Sequence, residues 1–143
     1  MSEATGAMFS GHTSNGRVLV VDDEPDVRKV IKRILTKAGY DVIEAEDGEQ
    51  AIEAINEGEN PLLLDVIICD IRMPKMNGIE AINYFQQQWP RVPLIVLTGF
   101  PDMEMAIGFL KKGVVDYLVK PVGKEKLTNA VAKALAQRKI HSV

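Results

Sequence analysis

Four short segments of this chain end in residues that could handle a phosphoryl group or a hard cation. Asp22 and Asp23 follow Val20-Val21 and lead into Glu24-Pro25, Asp70 ends Val66-Ile-Ile-Cys69, Thr98 ends Pro93-Leu-Ile-Val-Leu97, and Lys120 follows Tyr117-Leu-Val119. Two carboxylates about 4 Å apart repel by roughly 4 kcal/mol at an effective dielectric near 20, so three acids held together need a compensating cation. Magnesium suits the need, because it takes one or two protein carboxylates and leaves its other positions to water and phosphate oxygens. A carboxylate can also be the nucleophile that forms an aspartyl phosphate, a transfer helped mainly by positioning and charge neutralisation. Asp70 stands alone and is the candidate nucleophile, and the Asp22-Asp23 pair is better placed to hold metal. Lys120 would bring a positive charge to the phosphoryl oxygens, and Thr98 a hydroxyl donor.

These residues can meet only if the elements bearing them share an edge. Arg17-Val-Leu-Val-Val21 is a β-branched run that breaks at the acids, and Pro25 opens a helix whose apolar residues Val30, Ile31, Ile34, Leu35 and Ala38 form one stripe before Gly39. A strand over Tyr40 to Ala45 precedes a helix marked by Ala51, Ile52, Ala54 and Ile55 and ending near Gly58, with a turn at Asn60-Pro61. The run ending at Asp70 reads as a strand buried on both faces, followed by a loop holding Pro74 and Asn77-Gly78. A third helix carries Ile79, Ile82, Phe85 and Trp89 up to Pro90, and a fourth strand ends at Thr98-Gly99. A helix with Met103, Ala106, Ile107 and Leu110 reaches Gly113, the strand Tyr117 to Val119 follows, and Leu127, Val131, Ala134 and Leu135 mark the closing helix. Five strand signals alternating with five helix signals predict a doubly wound α/β domain with a five-stranded parallel sheet, and ligands in such sheets bind at the carboxyl ends of the strands.

Composition narrows the function classes. The 143 residues are 46% hydrophobic and 26% charged, the profile of a single soluble domain, and no apolar run approaches the roughly 20 residues of a membrane helix. A net charge of −3 without a long basic run argues against direct nucleic-acid binding. Cys69 is the one cysteine and cannot form an internal disulfide, which points to a reducing, cytoplasmic setting. Residues 1–16, rich in Ser, Gly, Thr and Ala and lacking a signal-peptide pattern, read as a flexible tail, with the domain over 17–138. Residues 139–143 read as a short C-terminal end without a further domain, in a chain that either stands alone or is cut from a longer one.

In order and spacing, Val20-Val21-Asp22-Asp23-Glu24-Pro25, Asp70-Ile-Arg-Met-Pro74 with Asn77-Gly78, Leu97-Thr98-Gly99 and Tyr117-Leu-Val-Lys120-Pro121 resemble the motifs of response-regulator receiver domains, over about Arg17 to Arg138. The resemblance implies the flavodoxin-like, CheY-like (βα)5 fold and a phosphorylation-dependent switch in two-component signalling, with no enzymatic role beyond its own magnesium-dependent phosphorylation and slow autodephosphorylation. Asp70 would accept the phosphoryl group from a sensor histidine kinase or histidine phosphotransfer protein. Asp22, Asp23, Asp70 and the Arg72 backbone carbonyl would hold Mg2+, and Thr98 and Lys120 would contact the phosphoryl group. Thr98 and Tyr117 would be the switch pair, reshaping the face of the fourth helix, fifth strand and fifth helix, which would meet a downstream target, an output domain or a second copy of the chain. It also implies a cis Lys120-Pro121 bond, against a base rate of about 5 to 6%. Arg72 and Phe100, bulky neighbours of the site, would impede an attacking water and prolong the phosphorylated state.

Blander readings stand beside these. A strand-end Asp can merely cap a helix, Thr98 can hydrogen-bond the next loop, and Tyr117 can be a core aromatic with its hydroxyl at the surface. Glu24 would favour the helix N-terminus through the macrodipole, and Met103, Met105 and Phe109 would be core or a partner surface. His12 and His141 fall outside the pattern. A haloacid-dehalogenase-type hydrolase would need a second Asp at the position of Arg72, and a flavodoxin-type flavin loop would not carry Asp22-Asp23-Glu24. An unphosphorylated scaffold of the receiver fold is the remaining alternative.

Overall fold

The computed structural model describes residues 14–71 and 78–141. Five strands, β1 (Arg17–Val21), β2 (Asp41–Ala45), β3 (Leu64–Asp70), β4 (Leu94–Thr98) and β5 (Asp116–Val119), form one parallel sheet in the order β2-β1-β3-β4-β5. Six helices lie among the described residues: α1 (Pro25–Lys37), α2 (Gly48–Asn56), α3 (Asn60–Leu63), α4 (Gly78–Gln88), α5 (Met103–Lys111) and α6 (Lys124–His141). The sixth is a correction to the five-helix expectation. At Asn60-Pro61, where the sequence predicts a turn, the chain makes the one-turn α3 with proline in its first turn. Four residues contain no apolar period to read, and an Asn-Pro pair is as compatible with a helix start as with a turn.

The sheet is buried on both faces, which is why its strands read as continuous apolar runs. Leu19, Val21, Ile67, Cys69 and Val96 point to one face, packed by Ile55 of α2, Ile82 and Phe85 of α4 and Phe109 of α5. Val18, Val20, Ile68, Ile95 and Leu97 point to the other, under Ile31 and Leu35 of α1 and Leu127, Val131 and Ala134 of α6. Gly39 ends α1 at φ +94°, a backbone region that L side chains avoid, letting the Tyr40 N–H reach the Leu35 carbonyl at 3.0 Å. Asp47 and Asp102 cap α2 and α5 by accepting the N–H groups of Gln50 and Met105.

Of the segment expected as a tail, residues 1–13 lie outside the described residues. Asn15 is tied to the body, its N–H to the Gly39 carbonyl and its amide to the Ala38 carbonyl, both at 2.8 Å. The Pro74 and Asn77 loop and His12 also fall outside the described residues. No described helix is long and apolar enough to cross a membrane.

Candidate functional site

The chain leaves β1 outward to β2 and returns across it to β3, so strand order reverses beside β1. The crevice of such a sheet lies there, at the carboxyl ends of β1 and β3. Asp22 is the first residue past β1 and Asp70 the last of β3, so the fold brings two carboxylates to adjacent strand ends. Asp23 turns outward beside them. One carboxylate oxygen from each of Asp22, Asp23 and Asp70 lies within 4.8 Å of the others.

Lys120, at the end of β5, gathers this charge. Its Nζ is 2.8 Å from Asp22 Oδ2, 3.0 Å from Asp70 Oδ2 and 2.8 Å from Glu24 Oε1. Asp22 and Asp70 are almost wholly buried, at 0% and 3% exposure, so their charges are weakly screened. Burial pushes the Asp22 carboxyl above its usual range, and the neighbouring Asp70 charge adds to the rise. The Lys120 contact and the Glu24 N–H bonded to Asp22 Oδ1 at 2.8 Å oppose it. Burial alone would pull the Lys120 ammonium down, yet its close contacts with the Asp22, Glu24 and Asp70 carboxylates outweigh this and hold it above the ordinary lysine value. The Lys120-Pro121 bond is cis.

The donor set suits a divalent cation. The contact of Asp22 Oδ2 with Lys120 is ionic, without hydrogen-bond alignment, so this buried oxygen keeps an unpaired acceptor site. A buried unpaired acceptor beside two further carboxylates is chemistry that hard cations satisfy. A cavity of about 540 Å³, lined by Asp23, Glu24, Asp70, Gly99, Phe100 and Lys120 among others, opens above these groups, large enough for a phosphoryl group and its waters.

The other predicted residues stand at greater remove. Thr98 is buried at the end of β4, where its Oγ1 accepts the Phe100 N–H at 3.0 Å, and its carbonyl accepts the Lys120 N–H at 2.8 Å. Tyr117 stacks on Phe109 with ring centroids 6.5 Å apart, and its hydroxyl accepts the Asp102 N–H at 3.1 Å, placing its tip at the start of α5. Arg72 lies outside the described residues. Met105 and Phe109 pack with the core, whereas Met103 is exposed. Cys69 is fully buried, and burial together with the Asp70 and Asp22 charges pushes its thiol far up.

Three contacts were not read from sequence. Glu24 does more than favour the helix dipole, because its carboxylate accepts a hydrogen bond from the Lys120 ammonium, 96 residues away in the chain. Arg28 donates from Nη1 to the Asp22 carbonyl at 2.6 Å and from Nε to Glu44 at 3.2 Å, fastening the acidic turn to the end of β2. A signal existed: a cation one turn into a helix opposes the macrodipole and therefore implies a partner.

Residues 18–132 match the sequence profile of the response regulator receiver domain. The chain is 39% identical over 118 residues to the chemotaxis protein CheY of Thermotoga maritima, covering 82% of this chain and 95% of that protein. It is 34% identical over 126 residues to the transcriptional regulatory protein ZraR of Escherichia coli K12, covering 88% of this chain but only 27% of that protein. Among solved structures, a response regulator receiver domain protein from Clostridium thermocellum superposes with a TM-score of 0.81 at 32% identity, covering 88% of this chain and 98% of that one.

Proposed function

The chain belongs to the response regulator receiver domain family, signalling switches of two-component systems rather than classical enzymes, and from that premise we propose that its phosphoryl acceptor is Asp70. The observation that carries the assignment is the Lys120 ammonium held between Asp70, Asp22 and Glu24 at the mouth of the cavity. An Asp70 carboxylate oxygen attacks the phosphorus of a phosphohistidine or small acyl phosphate. The new O–P bond forms as the bond to the imidazole or acyl oxygen breaks, and the leaving group keeps the electron pair.

Asp22, Asp23 and Asp70 would hold Mg2+ together with the Arg72 carbonyl. Bound there, the ion would neutralise phosphoryl oxygens. Lys120 meets those oxygens from the other side, and Arg28 keeps the acidic turn in place. Thr98 exchanges its bond to the Phe100 N–H for one to the phosphoryl group, and Tyr117 leaves the start of α5 to follow it. A phosphoryl group brings roughly −1.5 to −2 charge, enough to bias such an exchange.

The readout falls on the face of α5, β5 and α6, the fourth helix, fifth strand and fifth helix of the sequence pattern. Met103, Ile107 and Leu110 recur there along α5 and are exposed, as is Val119 of β5, an apolar stripe suited to a target protein, an output domain or a second receiver. The donor would be a sensor histidine kinase or phosphotransfer protein, and the lone buried thiol of Cys69 supports a cytoplasmic setting.

The test is intact-protein mass spectrometry after incubation with acetyl phosphate. A gain of one phosphoryl mass that requires Mg2+ and maps to Asp70 is the expected result. No gain under any condition would leave the scaffold reading. Phe100 is 63% exposed on the rim of the cavity, where its ring can screen the phosphoryl group from water. The Arg72→Asn, Phe100→Glu variant should therefore lose the group several-fold faster than the wild type in a decay time course, and slower loss would refute the screening role.

A further inference from the structure

At the opposite end of the sheet, before β4 and β5 begin, lies a second cavity of about 370 Å³ between the α4–β4 connection, the end of α5 and the end of α6. Three cations line it, Arg91, Lys112 and Arg138, and no carboxylate does. Its apolar side is formed by Val92, Leu94 and Val115.

Arg138 is the informative member. Its Nε pairs with Asp65 Oδ1 at 3.3 Å, and the other Asp65 oxygen already accepts the Arg17 N–H at 2.9 Å. Arg138 Nη1 is buried and has no hydrogen-bond partner. A buried guanidinium N–H left unpaired is unfavourable, and a native structure normally satisfies it with an acceptor. Asp65 offsets one of the three positive charges, so the cavity retains a positive field suited to an anionic guest.

We propose that this cavity is a binding site for a small anion bearing more than one phosphate group. The guanidinium forks of Arg91 and Arg138 match phosphate oxygens, Lys112 adds a mobile point charge, and the volume falls within the small-molecule range. The site is separate from the phosphoryl-accepting edge and does not depend on Asp70.

Trp89, the only tryptophan, immediately precedes the lining residue Pro90 and accepts the Val92 N–H through its carbonyl, so its fluorescence reports on this corner. The full chain is titrated with sodium pyrophosphate without Mg2+, following Trp89 emission and backbone NMR shifts. Sodium chloride at matched ionic strength and citrate serve as separate arms. Saturable binding with shifts centred on Leu94, Gly113 and Val115 is expected, weakened at least tenfold in an Arg91→Gln, Lys112→Gln variant. Both of those side chains are exposed, so the variant should melt with the wild type. A second variant, Asp65→Asn, removes the competing carboxylate and should tighten binding several-fold. A non-saturable response, an equal response to chloride or citrate, or unchanged affinity in the Arg91→Gln, Lys112→Gln variant would overturn the proposal.

Discussion

Replacing Asp70 by asparagine is expected to abolish phosphoryl uptake and, at the same time, to raise the melting temperature. The first effect follows because an amide is no nucleophile toward phosphorus. The second follows from the charges around a residue only 3% exposed. Asp70 lies within 4.8 Å of carboxylate oxygens of both Asp22 and Asp23, each worth roughly 3.5 kcal/mol of repulsion at an effective dielectric near 20. Its attraction to Lys120 at 3.0 Å is worth about 5.5 kcal/mol on the same scale. Among these three contacts the repulsions exceed the attraction by about 1.5 kcal/mol, so the neutral variant is expected to melt a few degrees higher, as for a domain of this size. Thermal melts without Mg2+, paired with mass spectrometry after acetyl phosphate, read both effects. A melting temperature below the wild type would mean that the Lys120 attraction dominates, and residual uptake would place the acceptor elsewhere.

The Lys120→Met variant should move in the opposite direction on stability. It leaves the fully buried Asp22 and the nearly buried Asp70 facing each other with no cation between them. Removing one partner from a buried ion pair costs about 3–5 kcal/mol, a large share of the 5–15 kcal/mol typical of a whole domain. Urea unfolding should show the loss, and added Mg2+ should restore part of it by binding the folded state alone. An additional Asp22→Asn change should also recover stability, because it removes the stranded charge. Phosphoryl uptake should fall on the order of a hundredfold, as when one preorganised donor is removed from a reacting anion. Unchanged unfolding in the presence and absence of Mg2+ would argue that Lys120 does not balance the acids.

The residues of this site were legible because a doubly wound sheet puts chemistry at strand ends, and the ends of β1, β3, β4 and β5 are marked by abrupt changes from apolar to polar. Their mutual contacts were not legible. Nothing local to Glu24 indicates that its carboxylate meets Lys120, since that depends on how β5 lies three positions across the sheet from β1. Thr98 shows the limit from the other side. Its place at the strand end is plain, but whether its hydroxyl serves the next loop or a ligand is decided by rotamer and occupancy, and here it accepts the Phe100 N–H. The main helices were legible from their apolar stripes, whereas α3 was too short to have one.

The sheet's two outer strands also bear on how copies of this chain can meet. An open edge is a template on which another chain can add a strand, the first step of uncontrolled aggregation. On one side β2 carries Asp41 and Glu44, paired with Arg17, Arg28 and Lys32, so an incoming strand would have to disturb charged pairs. On the other side β5 is only four residues long and begins with Asp116. Edge-to-edge growth of the sheet is thereby discouraged at both margins, which leaves self-association to side-chain packing on faces such as that of α5, β5 and α6, where it can be closed, reversible and limited in size.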